Sequence, residues 1–435
     1  MKKGKFMSFI PSNITGEQIA DIQEQGLRWT VSHAYNNSPY YKNKLDSAGC
    51  LPQDIKCLGD LERLPFTDKH DFLEDYPFPL RSVPMSDIVR IHGSSGTTGK
   101  RKILCYTRED VDNWANIFAR CYELAGVTNE DRVQIAVGYG LWTAGVGFQN
   151  GCERLGAMAV PLGPANVDMH IDMLLDLEST VFCSTASMAL LMSEEIEKRK
   201  LTDRVKLKTI ILGAERHSAS MRARIQEITG AEHIHDIYGM TELYGPGTGL
   251  DCREHAGIHY WADHFIFEVI DPVSLKPVPA GEEGELVVTT LKKQGTPLIR
   301  YRTHDVTRLI PGACPCGNPF PRHARISGRT DDMFIFRAVN IYPSQIDHIL
   351  GDIGGVGSEY QIHLNQDADG RDYMNIRVER TNGAGTGDDN GLAEQVSGRI
   401  RKKLLVRSRV EIVDYGDLPR TEKKSQRVFD NRPSE

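Results

Sequence analysis

The sequence lacks features that would place it among membrane, secreted or nucleic-acid-binding proteins. No apolar run approaches the roughly 18–20 residues that cross a bilayer. A basic excess is also missing: the formal net charge is −7, which argues against a general nucleic-acid-binding protein. The N-terminal lysines precede a segment broken by Ser8 and Pro11, which is not the pattern of a signal peptide.

Cysteine is present, but not in the pattern of a disulfide scaffold. The chain has nine cysteines in 435 residues, and this odd number in a long chain indicates reduced thiols and a cytoplasmic location. A hydrophobic content of 40% with 26% charged residues is typical of a globular protein. At this length we expect two or three domains.

The apolar patterns predict an α/β fold. Helical and β patterns alternate through residues 108–229, which indicates parallel sheets with helices on their faces. From about residue 258 short β-rich runs predict a β subdomain, and beyond residues 327–332 the pattern becomes strand–helix–strand. We therefore expect a large N-terminal domain (1–328) of parallel or mixed sheets packed with helices, with the β subdomain at about 258–328. A small α+β C-terminal domain (329–435) should follow.

Residues 91–102, IHGSSGTTGKRK, combine glycines, hydroxyl side chains and cations. Such a loop suits a polyphosphate, because its backbone amides can turn inward together. It is not a Walker loop, which needs G-x4-G-K-[ST]. The alternative is a flexible Gly/Ser turn. The candidate phosphate-binding residues are Ser94, Ser95, Gly96, Thr97, Thr98, Gly99 and Lys100.

Two strand-end loops have the sequences TIILGAE (209–215) and DIYGMTE (236–242). Ligands bind at the carboxyl ends of parallel strands, so these loops are candidates for a nucleotide site, although each alone could be a structural turn. The candidate residues are Ala214, Glu215, Asp236, Ile237, Tyr238, Gly239, Met240 and Thr241. Glu242 offers hard oxygens suited to Mg²⁺. Alternatively, Glu242 caps the turn that follows it.

Two further segments contain charged candidates. In RYRTHD (300–305), Asp305 could accept hydrogen bonds from ribose hydroxyls, or it could belong to a surface ion-pair ladder. In LPRTEKKSQR (418–427), Lys424 follows a Pro-Arg-Thr turn. Sequence physics alone favours a solvated basic face for this second segment.

Cys252, His259, Cys314 and Cys316 form a C-x6-H pair and a C-x-C pair. Three thiolates and an imidazole would favour tetrahedral Zn²⁺ in a closed structural site. His255 is the alternative histidine ligand. The competing interpretation is a set of scattered, inert thiols.

Taken together, the motifs resemble those of the phenylacetate–coenzyme A ligases, a branch of the adenylate-forming enzymes. The resemblance runs from about residue 38 to the end of the chain and keeps the family order. The matching segments are SSGTTGK (94–100), GYGLWTAGVGF (138–148), GAE (213–215), DIYGMTELYGPG (236–247), GELVVTTL (284–291), PLIRYRTHD (297–305), GRTDDM (328–333) and PRTEKK (419–424).

The resemblance implies a two-step reaction with ATP, Mg²⁺ and coenzyme A. An aryl carboxylate attacks the α-phosphate to give an acyl-adenylate, and the thiol of coenzyme A then displaces AMP. By position, Lys424, Glu242 and Thr97 match catalytic residues, Asp305 the ribose-binding residue with Arg329 nearby, and Asp331 the hinge of a mobile C-terminal domain. The implied acid pocket comprises Tyr139, Trp142, Ala214, Ile237, Gly239 and Pro246. Relatives also suggest a homodimer.

Two rival functions remain open from the sequence. The chain could form an acyl-adenylate from another acid or for an acceptor other than coenzyme A, which AMP release with and without the thiol would reveal. It could instead be a nucleotide-binding regulator without catalysis. Retention of Glu242, Asp305 and Lys424 speaks against that second possibility, and pyrophosphate exchange tests it.

Overall fold

A computed structural model of the chain describes residues 8–94, 100–215, 217–332, 334–337, 339–367, 371–381, 389–419 and 427–432. The α-helices in these ranges are α1 (Gly16–Asn37), α2 (Pro39–Ser47), α3 (Arg108–Leu124), α4 (Ala144–Leu155), α5 (Val167–Asp176), α6 (Ala186–Lys198), α7 (Ala219–Thr229), α8 (Pro343–Gly351) and α9 (Asp389–Leu404). Short 3-10 helices lie at Pro52–Asp54, Leu58–Arg63, Lys69–Phe72, Met85–Asp87 and Thr202–Arg204.

The strands fall into two long series. Those of the first part of the chain are β1 (Arg90–Gly93), β2 (Ile103–Tyr106), β3 (Arg132–Ile135), β4 (Met158–Val160), β5 (Val181–Thr185), β6 (Thr209–Gly213), β7 (His233–Met240), β8 (Gly245–Asp251), β9 (Ile258–Tyr260), β10 (Phe265–Ile270) and β11 (Gly284–Thr290). The remainder are β12 (Tyr301–Thr307), β13 (Leu309–Ile310), β14 (Arg322–His323), β15 (Gly328–Arg329), β16 (Phe334–Phe336), β17 (Val339–Ile341), β18 (Val356–Gln366), β19 (Asp372–Arg380), β20 (Arg409–Val413) and β21 (Val428–Asp430).

The largest sheet is mixed. Its nine strands run in the order β13-β14-β9-β8-β7-β6-β5-β3-β4. The pairs from β4 through β3, β5 and β6 to β7 are parallel, whereas β8, β9, β14 and β13 add antiparallel pairs. The α/β prediction with parallel and mixed sheets is therefore confirmed. The parallel run places the ends of β5, β6 and β7 at one edge.

Two four-stranded sheets follow along the chain. One has the order β10-β11-β12-β15 and is antiparallel, as expected for the β-rich region. The other has the order β20-β19-β18-β21 and packs with α8 and α9. Residues of this last region form a hydrophobic cluster of their own, which includes Phe336, Ile362, Ile376 and Val396.

Local signals explain where the first helix begins and ends. Thr15 and Gln18 form a reciprocal capping box, and Ser38 both closes α1 and caps α2, which has Pro39 in its first turn. Between these ends the apolar positions recur at helical spacing and become the buried face. The bounds predicted from sequence for this helix match those of the structure.

Close packing of α3 against α4 depends on missing side chains. Phe118 of α3 is fully buried, and Gly147 and Gly151 of α4 face it. A Cβ at Gly151 would lie 2.3 Å from the Cβ and 2.9 Å from the carbonyl carbon of Phe118. These atoms cannot move away without shifting a helix.

Among the described residues, no helix combines the length and apolar character needed to span a bilayer.

We predict opposite effects for two glycine-to-alanine substitutions in helices. Gly151→Ala should lower the free energy of unfolding by about 1–3 kcal/mol, because the added methyl overpacks the α3–α4 contact. Gly398→Ala, in α9, meets no atom within 4 Å and should stabilise its helix by up to about 1 kcal/mol. Denaturant unfolding of both variants measures the difference, and equal effects would contradict the packing argument.

Candidate active site

The strand-end loops predicted to form a nucleotide site lie side by side. Leu212 of β6 pairs with Asp236 of β7, and the methyl-bearing face of Ile237 approaches Gly213 so closely that a Cβ there would lie 2.7 Å from it. Ala214 continues the β6 turn with a positive φ of 68°. The structure thus brings the GAE and DIYGMTE segments together at the carboxyl edge of the parallel strands.

Glu215 has an additional task in this turn. Its carboxylate accepts a hydrogen bond from the backbone N–H of Ser187 in the first turn of α6, at 2.5 Å. Burial raises the pKa of this carboxyl, while the contact with Ser187 opposes the rise. The contact satisfies one of the free N–H groups at a helix start.

Asp236 sits in a buried cluster of charges. Its carboxylate pairs with Arg325, lies 3.3 Å from His217 and 3.8 Å from Arg222, and its backbone N–H donates to Asp251 at 2.7 Å. Burial, followed by the neighbouring Asp251, raises the pKa of Asp236 to about 6. The same carboxylate of Asp251 accepts from His255 at 2.8 Å.

Two tyrosine–carboxylate hydrogen bonds join β7 and its following turn to β12. The Tyr238 hydroxyl donates to Asp305 at 2.8 Å, and the Tyr301 hydroxyl donates to Glu242 at 3.3 Å. We call these four residues the β7–β12 seam. All four are at least nine-tenths buried, so the predicted magnesium ligand and the predicted ribose ligand lie along one line of contacts.

A cation meets each carboxylate of the seam. Lys102 forms an ion pair with Glu242, and Arg329 donates to Asp305 at 2.7 Å. Strand pairing sets the second contact, because Asp305 and Arg329 face each other across β12 and β15. Lys102 belongs to the cation cluster of the glycine-rich loop, but sequence reasoning did not include it among the site residues.

The base of the glycine-rich loop is a hairpin. Gly93 of β1 pairs with Ile103 of β2, and the Ser94 N–H donates to the Lys102 carbonyl at 3.1 Å. The ammonium of Lys100 lies 4.9 Å above the ring of Tyr76 rather than at Glu242. Several predicted site residues lie outside the described residues, namely Ser95, Gly96, Thr97, Thr98, Gly99 and Lys424.

The predicted hinge residue contacts the predicted ribose site through one guanidinium. Arg329 donates to Asp331 at 2.9 and 3.2 Å while it also holds Asp305, and Lys69 donates to Asp331 at 3.0 Å. Burial alone would raise the pKa of Asp331, but Arg329 and then Lys69 hold it at about 2. Asp331 is therefore a carboxylate at neutral pH.

The predicted acid-pocket residues occupy two adjoining loops. Tyr139 and Trp142 lie between β3 and α4, in a loop closed by the hydrogen bond from the Gly145 N–H to the Gly138 carbonyl. Thr143 of this loop lies 3.4 Å from Thr241 and contacts Gly245, which places it against the β7–β8 turn with Gly239 and Pro246. Within the described part of the chain, the buried hydroxyl of Tyr139 has no hydrogen-bond partner.

The predicted metal ligands converge. The sulfurs of Cys252 and Cys314 are 3.6 Å apart, Cys316 Sγ lies 3.4 Å from His259 Nε2, and all four ligand atoms fall within 4.8 Å of one another. His259 Nδ1 is 2.8 Å from the Phe320 carbonyl, which leaves Nε2 for the cluster. The alternative histidine, His255, contacts Asp251 instead. Three sulfurs and one imidazole suit a tetrahedral zinc ion.

Comparison with known proteins places this geometry in a family. The family model "AMP-binding enzyme" matches residues 30–291, and "AMP-binding enzyme C-terminal domain" matches residues 338–432. The phenylacetate-coenzyme A ligase of Escherichia coli (strain K12) is 39% identical, with 96% of this chain and 95% of the relative covered.

Solved structures agree with this relationship. 2-Hydroxyisobutyryl-CoA ligase in the postadenylation state, in complex with 2-HIB-AMP, superposes with a TM-score of 0.87 at 30% identity, covering 97% of this chain and 91% of that one. The same ligase in complex with 2-HIB-AMP and CoA in the thioesterification state gives a TM-score of 0.71 over the same shares, at 30% identity. This chain belongs to the AMP-binding enzyme family, in the group of the phenylacetate–coenzyme A ligases, which are AMP-forming acid–thiol ligases.

Proposed function

We propose that this ATP-dependent acid–coenzyme A ligase acts on an aryl acid of the phenylacetate type. The observation that carries the proposal is the β7–β12 seam, where two buried carboxylates lie next to the loop of Tyr139 and Trp142. One pocket can therefore gather a nucleotide and an organic acid. In the first step the acid's carboxylate attacks the α-phosphate of ATP, and pyrophosphate leaves. In the second step the thiol of coenzyme A attacks the acyl carbon, and AMP leaves.

The seam supports separate nucleotide roles for its two carboxylates. Asp305 is fixed by Tyr238 and Arg329, so its oxygens are held in place to accept ribose hydroxyls. Glu242 is a buried carboxylate that already attracts the ammonium of Lys102, which is the behaviour expected of a cation ligand. Bound Mg²⁺ would supply charge neutralisation at the phosphates. The loop of Ser94 to Lys100, including Thr97, would cradle the phosphates.

The acid pocket supports an aromatic substrate. Tyr139 and Trp142 bring two rings, whereas Gly239 has a φ of 154° and a Cβ at this position would lie 2.0 Å from the Gly245 carbonyl oxygen. A flat pocket between rings and bare backbone favours stacking of an aryl group. Ala214, Ile237 and Pro246 would complete the lining. The likeness to 2-hydroxyisobutyryl-CoA ligase makes a small aliphatic acid the second candidate substrate.

We also propose the domain division at residues 328 and 329, with Asp331 as hinge and a mobile C-terminal domain that carries the catalytic Lys424. The separate hydrophobic cluster of the C-terminal region supports this division. In the proposed cycle Lys424 meets the charge that develops at the α-phosphate, and rotation at Asp331 then admits the thiol. A cytoplasmic homodimer is the proposed form of the enzyme.

The final part of the proposal is a structural Zn²⁺ held by Cys252, His259, Cys314 and Cys316. The four residues come from β9 and from loops after β8 and β13, which are far apart in the chain. A tetrahedral ion would tie these segments together in a region of small strands.

Asp305→Asn should raise the KM for ATP in acid-dependent pyrophosphate exchange about ten- to a hundredfold, because a charged acceptor of ribose hydroxyls is lost. Asp172→Asn, at an exposed position of α5, provides the matched control and should behave as the parent does. An unchanged KM for ATP in Asp305→Asn would show that the ribose lies elsewhere.

Lys424→Ala should slow acyl-adenylate formation by about 10²–10³. The same variant should still convert a supplied acyl-adenylate to the thioester, because the lysine has no part in the second step. Lys402→Ala, at an exposed position of α9, controls for loss of one positive charge. Full adenylation by Lys424→Ala, measured by single-turnover quench, would exclude the proposed role.

Cys314→Ser should lower the zinc content of the purified protein from about one ion per chain to a small residue, because a three-ligand site binds a structural ion poorly. Elemental analysis measures this change. Cys57→Ser removes an exposed thiol elsewhere and should leave the metal content unaltered. A parent protein without zinc, yet with normal melting, would refute the metal proposal.

A further inference from the structure

A lysine with no solvent exposure lies behind the turn that carries Glu242. The ammonium of Lys293, which follows β11, donates hydrogen bonds to the backbone carbonyls of Glu242 at 2.7 Å and Leu243 at 2.6 Å. Lys293 is 0% exposed. A buried ammonium is costly unless its donors are satisfied, so this arrangement depends on both carbonyls being in place.

Two aromatic rings complete the surroundings of the ammonium. It lies 4.6 Å from the ring centroid of Tyr106 and 5.1 Å from that of Tyr244. Cations over ring faces are stabilised by the negative charge of the π cloud. Burial lowers the pKa of Lys293 to about 7, while Asp110 and Glu242 oppose the fall. The neutral amine still has two N–H groups, so both carbonyl contacts persist when the proton is lost.

The preceding carbonyl of the same turn is also held from outside. The Tyr106 hydroxyl donates to the carbonyl of Thr241 at 3.2 Å. Consecutive carbonyls of Thr241, Glu242 and Leu243 thus all accept hydrogen bonds from side chains of other segments. Such contacts fix the turn more firmly than strand pairing alone, because β7 ends before it.

One buried carboxylate anchors the segment that provides Lys293. Asp110 of α3 accepts hydrogen bonds from the N–H groups of Gln294 and Gly295, each at 2.8 Å, and from the Tyr244 hydroxyl at 3.3 Å. Asp110 is itself 0% exposed. The lysine and one of its two rings are therefore attached to the same helix.

We infer that Lys293 is a positioning residue for Glu242: by holding the two carbonyls it aims the carboxylate at the metal–triphosphate complex. The inference rests on the proposed role of Glu242. It acts through the backbone, since the Lys293 ammonium lies against the carbonyls whereas the Glu242 carboxylate contacts Tyr301 and Lys102. Loss of the ammonium should disturb the Mg²⁺-dependent part of nucleotide binding. Ribose binding depends on Asp305 and should remain.

Lys293→Met keeps the length of the side chain and removes its donors. We expect the Mg²⁺ concentration for half-maximal pyrophosphate exchange to rise about tenfold or more, because two buried carbonyls lose their partners. The dissociation constant of AMP, measured by calorimetry in EDTA, should not change. Lys292→Met is the matched control: this neighbour has a side chain 42% exposed and should resemble the parent in both measurements.

Tyr106→Phe gives a second test if Lys293→Met does not fold. It removes only the hydroxyl that holds Thr241 and should shift the Mg²⁺ requirement in the same direction by a smaller factor. A purely structural lysine would weaken AMP and Mg-ATP alike, and that result, or an unaltered Mg²⁺ requirement, overturns the inference. If the parent exchanges pyrophosphate with no acid, the proposed function fails instead. Calorimetry of ATP with and without Mg²⁺ then tests Lys293 directly.

Discussion

The site depends on two buried carboxylates that must find partners. In the β7–β12 seam, Asp305 and Glu242 each accept a hydrogen bond from a buried tyrosine on the opposite segment. A buried carboxylate without such contacts would cost several kcal/mol. The seam therefore requires β7 and β12 to lie at one fixed distance, although these strands belong to different sheets. The nine-stranded sheet and the β10–β15 sheet are held together where the nucleotide is proposed to bind.

The cations around the seam come from separate parts of the chain. Lys102 follows the glycine-rich loop, Arg329 lies on β15, and Lys293 follows β11. Each touches a different atom set: the Glu242 carboxylate, the Asp305 carboxylate and the carbonyls of the turn. Arg329 also contacts Asp331, so the proposed ribose site and the proposed hinge share one guanidinium. Their positions cannot change independently.

Much of the fold was accessible from sequence because its signals are local. The capping box at Thr15, the glycines that end α4 and α7, and the alternating apolar runs fixed most element bounds to within a few residues. A parallel order for β5, β6 and β7 predicts that the GAE and DIYGMTE loops share one edge of the sheet, and the strand pairing has that order. The convergence of Cys252, His259, Cys314 and Cys316 likewise matches the expected donor set.

Contacts between distant residues were not accessible in this way. Lys102 and Lys293 reach the Glu242 turn from remote positions in the chain, and no spacing rule relates those positions. The cap that Glu215 provides for α6 was also missed, because an acidic residue after a Gly-Ala turn is equally typical of a ligand. A buried lysine in the pair Lys292–Lys293 is especially hidden, since adjacent lysines usually indicate solvent.

Asp251 links two regions that have different proposed tasks. Its carboxylate accepts from the Asp236 N–H in the nucleotide turn, and the next residue, Cys252, belongs to the sulfur cluster. Opening of the cluster would therefore release the strand end that supports Asp236. The two regions should lose their amide protection against hydrogen exchange as one cooperative unit, even though only one of them faces the substrates.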